Sequence, residues 1–400
     1  MSTVPAFFVR TSLRPAVSLV VLAALVAAGA SAFAADLPRI TAMKPASTGS
    51  APGGRLVALP DGNLYGTAQA GGSADAGTVF VVNPKGHVST LHEFTGDDGY
   101  APVAGLTLGT DGMLYGTTAL GGANGLGVVF RIATDGTFTL LHSFDDAHDV
   151  GTSYVRSALT QGPDGNFYGT GPFSAGYPEQ NGTVFRVTPT GETTILYVFG
   201  TRVREPDAGV TFGADGRLYG LAAKDGRKDC GVLYSLATDG SGFRMDYQFD
   251  HGHAGCHPLS SMVLGDDGRL YGTTQYGGPK GGIGAMFRLD TSASLFKILH
   301  VFHDDDLAGS DPSAGLALGP NGDFYGVTSF GAANLMGAVF KATPAGKIAV
   351  VHPFAAKGRE GQGAQSSPVP DGSRHLVGGL LAGGHHQAGT IYRIDSGIAK

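Results

Sequence analysis

A short motif recurs seven times along this 400-residue chain, at intervals of 50 to 54 residues. Each copy contains an Asp-Gly or Asn-Gly pair, which in six of the seven copies precedes an aliphatic or aromatic residue and Tyr-Gly. The pairs are Asp61-Gly62, Asp111-Gly112, Asp164-Gly165, Asp215-Gly216, Asp267-Gly268, Asn321-Gly322 and Asp371-Gly372. Regular self-similarity of this length indicates a repeat architecture, in which every copy folds as one small unit and packs on its neighbours.

The sequence of each repeat predicts four β-strands and no helix. An Asp-Gly pair favours a type I′ hairpin turn, and short apolar runs flank it on both sides. A third run begins with glycine and ends in an aromatic residue, as at 127–130, and a fourth ends in Phe, as at 141–144. Four short strands per repeat are typical of β-propeller blades. We therefore predict an all-β, seven-bladed β-propeller with four antiparallel strands per blade.

The two ends of the chain are predicted to complete one blade together. The seventh repeat supplies three strands, the third at 390–394, and an unassigned apolar run at 39–44 precedes the first repeat. Pairing these two segments would join the chain ends and give the seventh blade its fourth strand, which avoids many unsatisfied backbone groups. The predicted blades lie near 54–94, 104–144, 157–199, 209–249, 260–302, 314–354, and 364–394 together with 39–44.

The order of motifs within the repeats resembles a known family. Leu-Tyr-Gly-Thr-Thr, a Gly-Gly loop, Gly-x-Val-Phe and Leu-His-x-Phe follow one another, most completely between Gly105 and Phe144. This pattern is similar to the GloVer tandem repeats of exported bacterial proteins, and the resemblance covers residues 35–400. It implies an exported protein but no particular reaction, because the family is defined by its repeats. Members often end in a surface-anchoring segment, and this sequence departs from the family in that respect.

The first 34 residues have the composition of a secretory signal peptide. Arg10 and Arg14 precede an apolar stretch at 17–30, and residues 32–34 (Ala-Phe-Ala) offer a small-residue cleavage site. We expect residues 1–34 to be removed, residues 35–400 to form a single domain, and the mature protein to be secreted or periplasmic. An uncleaved membrane anchor is the alternative, since the apolar stretch approaches the length of a membrane span. We expect no stable span after cleavage, because no later apolar run is long enough to cross a bilayer.

Charge and cysteine content narrow the classes of partner. The net charge is −6 and the basic residues are scattered, which argues against nucleic acid and anionic membranes as partners; we expect a monomer. The two cysteines, Cys230 and Cys256, are predicted to lie in loops on the same face of the propeller. Export permits a disulfide between them, which we predict; two free thiols or a thiolate metal pair are the alternatives.

No familiar catalytic or cofactor-binding signature occurs in the sequence, and we expect neither a metal nor a cofactor. His251, His253 and His257 could hold a metal only if their loop brought the rings together. Residues 304–306 are all Asp and lack the alternating spacing of a calcium loop. One repeat position on the outer strand carries either His or Tyr, which predicts a packing and hydrogen-bonding position rather than a catalytic or metal-binding one. The residues at this position are His92, His142, Tyr197, Tyr247, His300 and His352.

The predicted functional face carries the longer loops. Short glycine turns join strands one and two and strands three and four, whereas the other two loop classes differ in every blade and meet on the opposite face. Binding and catalysis concentrate on loops held by a rigid scaffold. The candidate ligand-binding residues, expected near the central axis, are His148, Arg156, Arg204, Glu205, His253, His257 and His303. We favour Arg204 and His257, which lie just before proline-led strands; solvated loops without a ligand are the alternative.

The sequence leaves three kinds of function open. The first is a binding or interaction module for a glycan or an envelope protein. The second is a polysaccharide lyase or glycosidase that uses loop His, Arg and acidic residues, and the third is a structural scaffold of the cell envelope. The absence of Trp weakens both glycan hypotheses, although flat surfaces for a sugar could come from Tyr100, Tyr154, Tyr177 and Tyr276.

Overall fold

The computed structural model contains seven four-stranded antiparallel sheets, which form the blades of a propeller. It describes residues 39–145, 147–149, 152–174, 182–200, 202–303, 306–332, 336–355 and 360–397. The predicted signal peptide, Tyr177, Asp304 and Asp305 lie outside these residues. The blades belong to one compact unit, Pro38–Lys400. Among the described helices, none has the length and apolar character needed to cross a membrane.

The strands are numbered along the chain, and each blade is given from its innermost to its outermost strand. β1 (Arg39–Ala42) and a short helix, α1 (Pro45–Thr48), precede the first blade. Blade 1 contains β2 (Val57–Ala58), β3 (Leu64–Ala68), β4 (Thr78–Val82) and β5 (Val88–Glu93). Blade 2 contains β6 (Thr107–Leu108), β7 (Leu114–Thr117), β8 (Val128–Ile132) and β9 (Phe138–Ser143).

Blades 3 and 4 each have an additional two-stranded pair in their loops. Blade 3 contains β11 (Thr160–Gln161), β12 (Phe167–Gly171), β14 (Thr183–Val187) and β15 (Thr193–Val198), with β10 (Thr152–Ser153) paired to β13 (Phe173–Ser174). Blade 4 contains β17 (Thr211–Phe212), β18 (Leu218–Ala222), β20 (Val232–Leu236) and β21 (Arg244–Gln248), with β16 (Val203–Arg204) paired to β19 (Lys224–Asp225).

Blades 5 and 6 repeat the same order of strands. Blade 5 contains β22 (Val263–Leu264), β23 (Leu270–Thr274), β24 (Ala285–Asp290) and β25 (Leu295–Val301). Blade 6 contains β26 (Ala317–Leu318), β27 (Phe324–Val327), β28 (Ala338–Ala342) and β29 (Ile348–Pro353). Two 3₁₀ turns, Arg227–Asp229 and Pro279–Gly281, lie in the loops of blades 4 and 5.

Blade 7 is closed by the N-terminal strand, as predicted. It contains β30 (Val369–Pro370), β31 (His375–Leu380) and β32 (Thr390–Asp395), and β1 pairs antiparallel with β32 as the outermost strand. The register runs from Arg39 opposite Arg393 to Ala42 opposite Thr390. Met43, directly after β1, is fully buried in a cluster shared by blades 7 and 1. The prediction of a seven-bladed propeller closed by residues 39–44 is therefore confirmed.

The Asp-Gly turns differ in one respect from the predicted type. A type I′ turn requires positive φ at both central residues. In the first repeat Gly62 has φ of 81°, whereas Asp61 is not among the residues with positive φ. The N–H of Gly62 donates to the carbonyl of Leu59 at 2.9 Å. This is a type I turn followed by a left-handed glycine, the common three-residue hairpin loop.

The Tyr-Gly pairs pack the blades against one another. Tyr115 is fully buried and stacks on Phe167 of the next blade, with ring centroids 4.0 Å apart. The following glycine makes room for the aromatic ring of its own blade's third strand: a Cβ on Gly116 would lie 2.4 Å from Cζ of Phe130. A second role falls to the turn Asp, because Asp111 accepts a hydrogen bond from the Tyr115 hydroxyl at 2.8 Å. The motif therefore encodes turn, packing surface and hydrogen bond together.

The shared His/Tyr position on the outer strands is a packing position, in agreement with the prediction. His92 stacks on Phe138 of blade 2 with centroids 3.9 Å apart, and Tyr197 stacks in the same way on Phe243 at 4.3 Å. The His92 ring also bonds Asp98 at 2.8 Å. The two stacked pairs tie the outer strands of blades 1 and 3 to the blades that follow.

Candidate functional site

The innermost segments of all seven blades surround a central channel of about 740 Å³. This volume is large enough to hold a small ligand. The lining consists mainly of small, apolar and hydroxyl-bearing residues, and only Arg55, Arg156 and Asp207 of the lining carry charge.

On the loop face, one residue in each blade marks the point where the loop turns into the channel. These mouth positions all have a left-handed backbone, with φ between 53° and 75°: Ala51, Ala101, Tyr154, Glu205, His257, Asp311 and Gly363. Hydrogen bonds hold the conformation, as at His257, whose N–H donates to Cys230 at 3.1 Å and whose carbonyl accepts from Gln275 at 3.1 Å. Such a backbone costs free energy outside glycine, but its recurrence in every blade makes it part of the repeat. The site's variety therefore comes from the side chains placed there.

Two residues beyond the mouth position, the lining carries one base and one acid. Arg156 of blade 3 and Asp207 of blade 4 occupy equivalent positions, where blades 1 and 2 have Gly53 and Val103. Burial raises the pKa of Asp207 to about 6, and the positive charge of Arg156 only partly opposes this effect. One buried oxygen of Asp207, Oδ1, accepts no hydrogen bond from any described residue. A carboxyl group that changes charge near neutral pH can bind a ligand hydroxyl or exchange a proton.

Arg204 and Glu205 are held in ion pairs beside the mouth. The pairing of β16 with β19 places Arg204 opposite Lys224. Arg204 Nε and Nη2 donate to Asp225 at 2.5 and 2.9 Å, and Lys224 Nζ donates to Glu205 at 2.7 Å. The hydrogen bond and charge of Asp225 raise the pKa of Arg204. Because its donors are directed to this carboxylate, Arg204 stabilises the loop.

His257 occupies the mouth position of blade 5, where a disulfide anchors the loop. The structure contains the predicted bond between Cys230 and Cys256, with Cα atoms 4.3 Å apart. It joins a loop of blade 4 to the loop that leads into blade 5. The ring of His257 lies edge-on to that of Tyr276, with centroids 5.7 Å apart. Of the two favoured candidates, His257 is thus at the mouth itself, beside an exposed tyrosine.

The other three histidine candidates lie where the loops leave the outer strands. His148, His253 and His303 follow the outermost strands of blades 2, 4 and 5. The His148 ring bonds Asp145 of its own loop at 2.8 Å, and the His253 ring bonds Asp250 at 2.8 Å. These two histidine side chains are 81% and 79% exposed. They therefore make local contacts in separate blades.

The structure brings together only part of the predicted set. Arg156, Glu205 and His257 line or surround the mouth with Arg204 beside them, whereas the three outer histidines are not gathered with them. Across the described ranges, no group of three or more His, Cys, Asp or Glu is placed so that it could hold a metal ion.

Three functional candidates were missed in the sequence: Arg55, Asp207 and Asp311. Asp311 fills the mouth position of blade 6 and is 5% exposed. Burial raises its pKa, a hydrogen bond with Gln275 opposes the effect, and its Oδ1 has no partner in the described part of the chain. Alignment of the repeats could have found Arg55 and Asp207, because no other blade has a charged residue at the Arg55 position or an acidic residue at the Asp207 position.

Besides the central channel, the site contains exposed aromatic rings. Within the described residues, four Tyr or Phe side chains are strongly exposed: Tyr100 (40%), Tyr154 (37%), Tyr276 (42%) and Phe330 (60%). All four belong to the loop face. Tyr154 is itself a mouth residue, and Tyr100 directly precedes the mouth residue Ala101. Tyr276 and Phe330 form backbone bridges with Cys256 and Ser310, and these two partners directly precede the mouth residues of blades 5 and 6. We call the mouth positions, these four rings and the channel the funnel.

Comparison with protein-family models identifies the chain. It belongs to the Gloeobacter/Verrucomicrobia repeat family, whose model matches residues 34–211 and 205–398. This result confirms the resemblance seen in the repeats. Comparison with curated proteins gave no significant match.

Solved structures share the fold at low sequence identity. An oligogalacturonate lyase from Vibrio parahaemolyticus superposes with a TM-score of 0.58 at 10% identity, covering 88% of this chain and 90% of that one. An oligogalacturonate lyase in complex with manganese gives 0.57 at 12% identity, covering 90% and 96%. The extracellular domain of a proposed one-component system from Bacteroides thetaiotaomicron gives 0.56 at 10%, covering 88% and 39%. At these identities the likeness shows the propeller fold alone.

Proposed function

We propose that the protein is an extracytoplasmic binding propeller whose funnel holds a saccharide chain. The observation that carries this proposal is the distribution of exposed rings, since all four strongly exposed Tyr and Phe side chains among the described residues lie on the loop face. Exposed rings collected on one face mark a surface that meets a ligand or partner. Tyrosine combines a flat apolar face with a hydroxyl, which suits the C–H faces and hydroxyls of a sugar.

The channel beneath the rings supports a saccharide rather than a flat protein surface. It is concave, and its polar groups are mainly uncharged hydrogen-bonding side chains such as Ser260, Ser313 and Gln365. Such groups can pair with sugar hydroxyls without bringing a large desolvation cost. An envelope protein would instead be expected to cover a wide surface, and its binding is an outcome of the test below.

The likeness to solved structures is consistent with the enzyme described below as the second candidate and does not favour binding without catalysis. Two of the similar folds are oligogalacturonate lyases, one of them in complex with manganese. Among the described residues of the present chain, no group of three or more His, Cys, Asp or Glu could hold a metal ion, and the proposal makes no use of one. The disulfide between Cys230 and Cys256 fits an oxidising compartment outside the cytoplasm.

The proposal can be tested by measuring retention of the purified mature protein on immobilised neutral and acidic cell-wall and plant polysaccharides. Replacing Tyr276 and Phe330 by Ala should reduce retention at least tenfold on the polysaccharide that binds. The matched control is Leu295→Ala, which removes an apolar side chain that is 57% exposed on the outer strand of blade 5. Equal retention of both variants, or binding of an envelope protein and no polysaccharide, would refute the proposed function.

A polysaccharide-cleaving enzyme is the second candidate, and Asp207 is the observation that favours it. Its pKa of about 6 would let the carboxyl group act as a general acid or base near neutral pH, and Arg156 provides an opposite charge on the next blade. The test is release of new reducing or unsaturated ends from the bound polysaccharide. Asp207→Asn should abolish release and leave retention intact; absence of any release by the wild-type protein would exclude this candidate.

A further inference from the structure

One of the two arginines that line the central channel occupies a position at which no other blade carries a charge. Arg55 lines the channel from blade 1, and the equivalent positions of the other blades all carry small residues: Gly105, Ala158, Gly209, Ser261, Gly315 and Ser367. The side chain is accessible to solvent inside the channel. At the same time the surrounding blades desolvate the guanidinium and lower the pKa of Arg55. It is therefore a charged group that is accessible to solvent within a confined space.

The guanidinium of Arg55 has no internal role in ion pairing. Desolvation is the one influence on its pKa, with no nearby carboxylate raising it. Among the described residues, none forms a hydrogen bond or ion pair with this side chain. By contrast, Arg204 and Arg269 are both paired with Asp side chains. Charged groups surrounded by protein are normally paired, so an arginine left open in a channel is suited to an external anion.

The charge of the lining selects the kind of anion. Arg55 and Arg156 contribute two positive charges and Asp207 one negative charge, so the lining carries +1 when Asp207 is ionised, inside a chain of net charge −6. A ligand with one carboxylate neutralises this charge, whereas a dianionic phosphate ester would leave an excess negative charge. The planar guanidinium also matches a carboxylate with two parallel hydrogen bonds.

We propose that the saccharide bound in the funnel carries a single carboxylate, as a sugar acid does, and that Arg55 binds this carboxylate inside the channel. The proposal rests on the saccharide-binding function proposed above and adds the substrate class. Hydroxyl groups of Ser261 and Ser367, at the same level of the channel, are available to the sugar hydroxyls.

Titration calorimetry with two matched oligosaccharides tests this assignment. Methylglucuronosyl-xylotriose carries one carboxylate, and xylotetraose is a neutral chain of similar size. We expect the acidic probe to bind at least tenfold more tightly than the neutral one. Arg55→Ser, which introduces a residue that blades 5 and 7 already have at this position, should remove that difference by lowering the affinity for the acidic probe to that for the neutral one.

The control is Lys85→Ser, which removes the same charge from an exposed position on the opposite face of blade 1. Lys85→Ser should retain the preference for the acidic probe. That result would show that the preference comes from direct contact with Arg55 and not from the overall charge of the protein. Equal affinity for both probes, an unchanged preference in Arg55→Ser, or displacement of the acidic probe by equimolar inorganic phosphate would each overturn the carboxylate assignment. Absence of binding by either probe, together with no retention on any polysaccharide, would overturn the proposed function as well.

Discussion

Replacement of Asp207 by Asn should stabilise the protein above about pH 6 and have no effect below about pH 3.8. Burial raises the pKa of Asp207 from its ordinary value of 3.8 to about 6 in the folded protein. Folding therefore favours the protonated carboxyl, which Asn imitates in shape and charge. The difference of roughly two pH units corresponds to about 3 kcal/mol, since each unit is worth about 1.4 kcal/mol.

The sign of this effect fixes its pH window. Below about pH 3.8 the carboxyl is protonated in the folded and the unfolded protein, so the wild type and Asp207→Asn should have the same free energy of unfolding. Between pH 3.8 and 6 the unfolded protein ionises first, and the wild type loses stability as the pH rises. Above pH 6 the variant should remain more stable by up to about 3 kcal/mol.

Equilibrium urea unfolding at pH 4, 5, 6, 7 and 8 measures this difference. Asp97→Asn is the control, because Asp97 is an exposed loop carboxylate and its replacement changes the net charge equally. The control should show no gain that grows from pH 4 to pH 8. A variant Asp207→Asn that is equally stable or less stable than wild type at pH 8 would refute the reasoning, because Arg156 would then hold the carboxylate in its ionised form.

Three other predictions concern the scaffold. Replacing Cys230 and Cys256 by Ala should lower the free energy of unfolding by about 3.5 kcal/mol on the chain-entropy model for a separation of 26 residues, measured by urea unfolding; two free thiols in non-reducing peptide mapping of the wild type would contradict the bond. Deleting residues 39–44 should lower the melting temperature of the whole protein, because β1 completes blade 7; an unchanged single transition would contradict this closure. Gly116→Ala should destabilise by about 1 to 3 kcal/mol, because its Cβ would overlap the ring of Phe130; an unchanged unfolding midpoint would show that the ring can move aside.

The sequence predicts the scaffold well because every blade makes the same turns and packing contacts, so the residues that make them recur in every repeat. The spacing of the Asp-Gly pairs gave seven blades, and the unassigned run at 39–44 gave the closing strand. The turn type was wrong because an Asp-Gly pair fits two hairpin geometries, and only the position of the left-handed glycine distinguishes them.

The site was predicted only in part, because pairing and burial depend on residues distant in sequence. Arg204 was favoured as a ligand-binding residue, but in the structure its donors are directed to a carboxylate 21 residues later, in a short strand pair that interrupts the repeat. Asp207 lies two residues after the candidate Glu205 and was overlooked, since its altered pKa arises from burial among the inner strands. Comparison of side chains at equivalent repeat positions is the signal that would have found both Asp207 and Arg55.

The central claim is that the loop-face funnel is the binding site, and a crystal structure of the protein soaked with methylglucuronosyl-xylotriose tests it most directly. We expect electron density for the sugar at the mouth of the channel, beside Tyr154 or Tyr276, with its carboxylate within hydrogen-bond distance of Arg55. Sugar density confined to the short-turn face or to the outer strands, with the channel free of ligand, would contradict the claim.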